Sequence, residues 1–338
     1  MTTTARPGEN FVPRPGGPAG PPTASLEPHR RMGAIMRPAL RRKRTREALT
    51  FYAFISPWLL GFIVFTAIPM IASLVLAFTN WDSFQPPVFI GFANFVKMFT
   101  DDPLFWQALA HTLYFTVVSV PLSLLIALGL AQLLSRPMRG ARFFRTIVYI
   151  PALVPLVAGA MIFKWLFAPD SGPVNGFLAL FGIKGPAWLL DPNWVIPGII
   201  LLSLWQVGAG TILLIAALQG VPPELYEAAR IDGASRFQQF WRLSVPLVTP
   251  ILFFNLITGM ISAFQVFSQV YVLTDGTSGP DNASLMMVPY VYDSAFRNYN
   301  MGYASALAWV LFLIIMALSA IVLRSSRAWV FYETEVRQ

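Results

Sequence analysis

The 338-residue chain contains no cysteine, which excludes a disulfide framework and any thiolate metal site. It has two histidines, His29 and His111, one in a polar N-terminal stretch and one at the edge of an apolar run, so no histidine-based metal centre or catalytic triad can be assembled. Charge is scarce: 12% of residues are charged, against about a quarter in an ordinary soluble protein. The four lysines, 43, 97, 164 and 184, are followed by Arg, Met, Trp and Gly, so no Gly-Lys-Ser/Thr phosphate loop exists. No Asp or Glu falls inside the long apolar runs, which argues against catalysis by paired intramembrane aspartates. These absences predict a chain that is not an enzyme, with no cofactor and no resident metal. Any nucleotide hydrolysis has to come from a partner.

What the chain has is apolar length. Hydrophobic residues make up 56% and mean hydropathy is +0.59. Six runs long enough to cross a bilayer are predicted, over 51–78, 110–134, 147–168, 194–219, 247–274 and 303–324. The expected fold class is therefore all-α, a polytopic membrane protein with six transmembrane helices. Of the 24 basic residues, ten precede residue 47, and Arg136, Arg139, Arg142, Arg145, Arg230, Arg236, Arg242, Arg324, Arg327 and Arg337 fall in every second connection or after the last span. The intervening connections hold Lys97, Lys184 and Arg297 against eight aspartates. The positive-inside rule then puts both termini in the cytoplasm. The net charge of +8 is a topology signal, and no nucleic-acid partner is implied.

Residues 1–38 are rich in Pro, Gly, Ser and Thr, and residues 1–48 are expected to form a disordered basic cytoplasmic tail ahead of the membrane domain, 49–338. "RRKRTR" at 41–46 meets the bilayer, where it can attract anionic membrane lipid. Prolines recur within the spans, and Pro151 and Pro155, one turn apart, mark the expected bend in span three. Lys164, the one charge inside a span, either snorkels to the outer surface or faces a substrate. Trp205 and Trp309 lie well inside spans, as core packing or as the lining of a pathway.

Between spans four and five, 220–246 form a charged, helix-prone segment. Pro222 and Pro223 suit a first helical turn, and Glu224 and Glu227 its positive end. A helix is predicted over Pro223–Ile231, a turn with positive φ at Gly233, and a second helix over Ala234–Leu243, with Pro246 opening span five. Ala228 and Ala229 leave a smooth face, while Leu225, Ile231, Phe237, Phe240 and Trp241 supply apolar anchors. On physical grounds alone the segment either rests on the bilayer as an amphipathic helix or docks into a partner.

"EAARIDGASRFQQFWRLSVP" closely resembles the EAA motif of binding-protein-dependent ABC importer permeases, through Glu227, Ala228, Ala229, Gly233 and Pro246, and these residues with Asp232 are the expected coupling residues. "FFRTIVYIPALVP", "YVLTDG", "YVYDSAF" and "MGYASA" are similar to the carbohydrate branch, the maltose and glycerol-3-phosphate type permeases, and the likeness extends over 50–325. The resemblance implies the permease subunit of an ATP-driven sugar importer in a bacterial or archaeal plasma membrane. Its partners would be a second homologous permease, an ATP-binding cassette ATPase dimer that receives the EAA coupling helix, and an extracytoplasmic sugar-binding protein. Two features depart from the pattern: His111-Thr112 stands where relatives often have Asn-Thr, and "DGTSGP" stretches their Gly-Gly-Pro. A stand-alone facilitator or secondary sugar carrier is the alternative, weakened by the lack of ionisable residues at membrane depth.

In span five, Asn255, Ser262, Gln265 and Gln269 stand at offsets 0, 7, 10 and 14, an arc of roughly 80° on a continuous helix. This polar face is expected either to line the substrate pathway, with Trp205, Gln206 and Phe264 adding hydrogen bonds and stacking surface, or to bond the second permease.

Overall fold

A computed structural model of the protein describes residue 47, residues 49–136 and residues 138–331. The expected tail with its basic run and His29, and Arg337 near the other end, lie outside the described residues. The chain divides into two units, Met1–Thr66 and Ala67–Gln338, the division falling inside an apolar helix, α1 (Leu49–Leu76). In the first unit, no described side chain is buried. A π turn, Ile63–Ala67, precedes Pro69, the local widening by which a helix continues past a residue that cannot donate a hydrogen bond.

The second unit is almost wholly helical. A two-residue antiparallel ladder, β1 (Thr79–Asn80) with β2 (Val88–Phe89), pairs Thr79 with Phe89. After α2 (Ala93–Thr100), α3 (Pro103–Leu134) begins at Pro103, ahead of the predicted start at residue 110. Asp102 caps it: Oδ1 accepts from the backbone N–H groups of Leu104 and Phe105, and Pro103 occupies the first turn. Oδ2 accepts from the hydroxyls of Tyr290 and Tyr303, so a buried carboxylate ties three distant segments together. Burial and this carboxylate hold the Tyr290 hydroxyl well above the usual phenol range, keeping it a donor.

Span three bends where Pro151 and Pro155 predict, and sharply: α4 (Ala141–Leu153) and α5 (Leu156–Leu166) meet at 99°. The physical cause is local: Val154 precedes Pro155 and is driven to extended geometry, φ −71° and ψ 126°. Short α6 (Pro173–Ala179) leads to α7 (Val195–Trp205) and α8 (Gly208–Gln219), which bend by 44° across Gln206 and Val207. Gly208 is required here, because a Cβ would fall 2.2 Å from the Val148 carbonyl oxygen of α4.

α9 (Pro223–Ile231) is followed by α10 (Arg236–Phe264), then α11 (Ser268–Leu273), α12 (Met287–Tyr292) and α13 (Met301–Trp329). Among the described residues four helices, α1, α3, α10 and α13, are long and apolar enough to cross a membrane, and six crossings result if each bent pair is one span. Three buried clusters hold the second unit. One joins Phe115, Phe163, Ile199 and Val270; another joins Phe105, Phe264, Leu285 and Leu307; a third joins Leu128, Leu214 and Val248.

Candidate functional site: a knuckle and a polar cavity

α9 runs from Pro223 to Ile231, as the sequence predicts, with Asp232 as its C-cap, and Gly233 takes φ 79°. That conformation lets the Ala234 N–H reach the Ala229 carbonyl at 2.9 Å and close the helix end. The second helix starts later than predicted, at Arg236. Ser235 is its N-cap, accepting from the Gln238 N–H, while the Gln238 side chain accepts from the Ser235 N–H. This capping box, Ser-x-x-Gln, was a readable signal in the sequence. Pro246 does not open a new helix: the chain runs on as α10 through a π turn, Phe240–Ser244, just ahead of it.

Two bonds brace the turn. Tyr226 and Ser244 hydroxyls lie 3.0 Å apart, and Gln239 Nε2 donates to the Ala234 carbonyl at 3.0 Å. Glu227, Ala228, Asp232 and Gly233 are exposed, with Ala229 and Pro246 half-buried. Ile231 is 87% and Phe237 72% exposed, and Leu225 and Trp241 are exposed too, while Phe240 turns inward against the third cluster. Apolar side chains this open call for a cover, which either the bilayer or a partner supplies.

The second feature is an open cavity of about 500 Å³ lined by α3, α7, α8, α10 and α11. Its polar wall is made of Ser119 and Ser123 on α3, Ser203 and Gln206 at the α7–α8 break, Asn255, Thr258 and Ser262 on α10, and Gln269 on α11. No charged side chain lines it. Gln206 Nε2 donates to the Val154 carbonyl at 3.3 Å, so one helix break satisfies an acceptor freed at the other. Gln269 Nε2 donates to Ser203 Oγ at 3.1 Å.

The continuous stripe expected on span five is therefore corrected. α10 ends at Phe264 and the helix restarts at Ser268, so a constant angle per residue does not carry past the break. Asn255, Ser262 and Gln269 still reach the cavity wall, but Gln265 does not and is exposed. Trp205 and Phe264 are not in the wall either. Trp205 packs on Phe163 at 5.4 Å between ring centroids and beside Gly159, and Phe264 is buried in the second cluster. Ser119, Ser123, Ser203 and Thr258 were missed; two serines one turn apart around Pro121 were the signal for the first pair.

Lys164 pairs with Asp275, so neither snorkelling alone nor an open role describes it. Trp309 is part of the packing, with Nε1 donating to Ser73 Oγ at 3.1 Å. The His111-Thr112 departure is accommodated by bonds to one segment: His111 Nδ1 meets the Leu285 carbonyl at 3.1 Å, and the Met287 N–H donates to Thr112 Oγ1 at 2.9 Å.

The family described as "Binding-protein-dependent transport system inner membrane component" matches residues 119–330. A probable ABC transporter permease protein, YesP of Bacillus subtilis (strain 168), is 39% identical over 301 residues, 88% of this chain and 97% of that relative. The lactose transport system permease protein LacF of Rhizobium radiobacter is 37% identical, covering 79% of this chain and 91% of its own length. Among solved structures, a chain of a bacterial ABC transporter involved in the import of the acidic polysaccharide alginate superposes with a TM-score of 0.76 at 25% identity, over 86% of this chain and 99% of that one.

Proposed function

Because this chain belongs to the family of binding-protein-dependent transport system inner membrane components, and is thereby a multi-pass membrane permease, we propose how it works as half of an ATP-driven sugar importer. In this reading both bent helix pairs are single crossings, giving six spans, and both termini and residues 220–246 are cytoplasmic. The alternation of basic residues supports that orientation. The membrane is a bacterial or archaeal plasma membrane, in keeping with the bacterial relatives.

The observation that carries the proposal is the braced, exposed knuckle around Glu227, Ala228, Ala229, Asp232, Gly233 and Pro246. It is the part an ATPase subunit would seat. ATP binding closes the ATPase dimer, and the closure moves the knuckle as a rigid body. α10 carries that movement inward. Its 29 residues extend about 43 Å at helical rise, with the knuckle at one end and Asn255, Thr258 and Ser262 toward the other. One lever thus joins the energised end to the cavity.

The cavity supplies amides and hydroxyls without a fixed charge, the donor and acceptor set that suits a sugar's hydroxyls. A lactose permease among the relatives supports carbohydrate as the cargo class. A second permease completes the pathway, and an extracytoplasmic binding protein delivers the sugar and selects it. Reconstitution in proteoliposomes tests the reading: uptake requires an ATPase subunit and ATP. Sugar flux through the chain alone, running down its gradient, would instead establish a facilitator.

A further inference from the structure

Behind the knuckle lies a second cavity, of about 810 Å³. Arg136 past the end of α3, Gln219 at the end of α8, Tyr226 and Arg230 from α9, and Arg236 and Gln239 from α10 form its wall, and no Asp or Glu does. Among the described residues no carboxylate pairs with Arg136, Arg230 or Arg236; the ion pairs present are Lys164–Asp275 and Arg297–Asp293. An adjoining cavity of about 630 Å³ shares Arg136 and Gln219 and adds Arg142 and Arg145. Arg145 is already occupied, donating from Nε and Nη2 to the Leu134 carbonyl at 3.1 and 2.7 Å. Three uncompensated guanidinium groups around one space repel each other and are stabilised together by an anion.

We propose that this cavity binds a phosphate-bearing anion, and that in the membrane the anion is the headgroup of an acidic phospholipid. Guanidinium forks match phosphate oxygens in pairs of hydrogen bonds, which suits a phosphate better than a simple halide. Depth argues for lipid. The wall includes Leu218 and Gln132, at the ends of the apolar helices α8 and α3, which places the opening at headgroup level. The coupling surface does not compete for it. At about 100° per residue, Tyr226 and Arg230 sit about 40° apart on α9, and Ala228 lies on the opposite side of the helix. Leu225, Ile231, Phe237 and Trp241 are likewise absent from the wall. A seated ATPase therefore leaves the cavity open toward the bilayer. The choice of leaflet rests on the orientation proposed above; the anion site itself does not.

The test is native mass spectrometry of the full-length chain, purified with whatever subunits accompany it, titrated with phosphatidylglycerol or phosphatidylcholine. At roughly fivefold per arginine, Arg136→Gln/Arg230→Gln/Arg236→Gln lowers phosphatidylglycerol retention by about a hundredfold. Arg139→Gln/Arg327→Gln, outside the wall, leaves retention unchanged, and phosphatidylcholine is held weakly by every form. The matching triple substitution to Lys keeps retention within about tenfold of the native chain and guards against a variant that fails to fold. Inorganic phosphate distinguishes the sources: displacement of it by phosphatidylglycerol supports the lipid, whereas phosphate bound and phosphatidylglycerol refused keeps the site but moves its ligand to solution. Equal phosphatidylglycerol retention by the native chain and the folded Gln variant overturns the proposal. So does retention that disappears when an ATPase subunit is added, since an acidic group of that partner would then fill the cavity. Failure of ATP-dependent uptake leaves all of these readings unaffected.

Discussion

The knuckle and the central cavity are built by opposite means. Every turn of residues 222–239 is set by a neighbour in sequence: Pro223 starts a helix, Gly233 reverses the chain, and Ser235 with Gln238 starts the next helix. The cavity is set by partners far along the chain. Gln206 bonds Val154, 52 residues away, and Gln269 bonds Ser203, 66 residues away. On the proposed function, the part seated in an ATPase is stiff by itself, whereas the cavity is held by bonds between helices, which rigid-body movement can exchange.

The sharpest way to break this contrast is at Gly233. Gly233→Val puts a β-branched side chain at φ 79°, a strain of about 1–2 kcal/mol or more, although nothing within 4 Å obstructs the added Cβ. ATP-dependent uptake is expected to fall about tenfold or more while membrane insertion is retained. Normal uptake would show that the turn does not transmit force.

Gln206→Leu asks the same of the cavity region. It leaves the Val154 carbonyl unpaired at the 99° bend, at a cost of about 1–3 kcal/mol, read as a lower thermal midpoint in detergent together with altered uptake. Next in size is a paired comparison: Gln269→Leu changes uptake several-fold, whereas Gln265→Leu, whose side chain lies outside the cavity, changes it little. Equal effects would restore the continuous stripe. The smallest effect is expected of Ser235→Ala, which removes a cap worth about 1 kcal/mol and lowers uptake modestly, because Tyr226 and Gln239 still brace the turn.

The same division explains what could be read from the sequence. The bounds of α9, the positive φ of Gly233 and the bend near Pro155 were legible, since Pro and Gly act through their own backbone. The break after Phe264 was not. Gln265, Val266 and Phe267 include neither Pro nor Gly, and the interruption there is a product of tertiary packing around Val266, Val270 and Phe264. Gln265 stands at the C-cap ahead of the break, its N–H still bonded to the Ile261 carbonyl, whereas Gln269, beyond the break, reaches the cavity wall. Trp205 and Phe264 pack into clusters and do not line this cavity: aromatic residues suit a sugar pathway and a helix interface equally, and Gly159 beside Trp205 admits close packing. The early start of α3 was legible in Asp102-Pro103, a cap followed by a first-turn proline, although those two residues precede the apolar run.

The most direct test of the central claim uses the absence of native cysteine, which makes a single introduced thiol unambiguous. Ala228→Cys, exposed at the tip of the knuckle, is coupled to a short thiol-reactive crosslinker in membranes containing the assembled importer. A crosslink to an ATP-hydrolysing subunit, formed in high yield and altered by nucleotide, is the predicted result. A thiol shielded by lipid, with no such subunit captured in any nucleotide state, would contradict it.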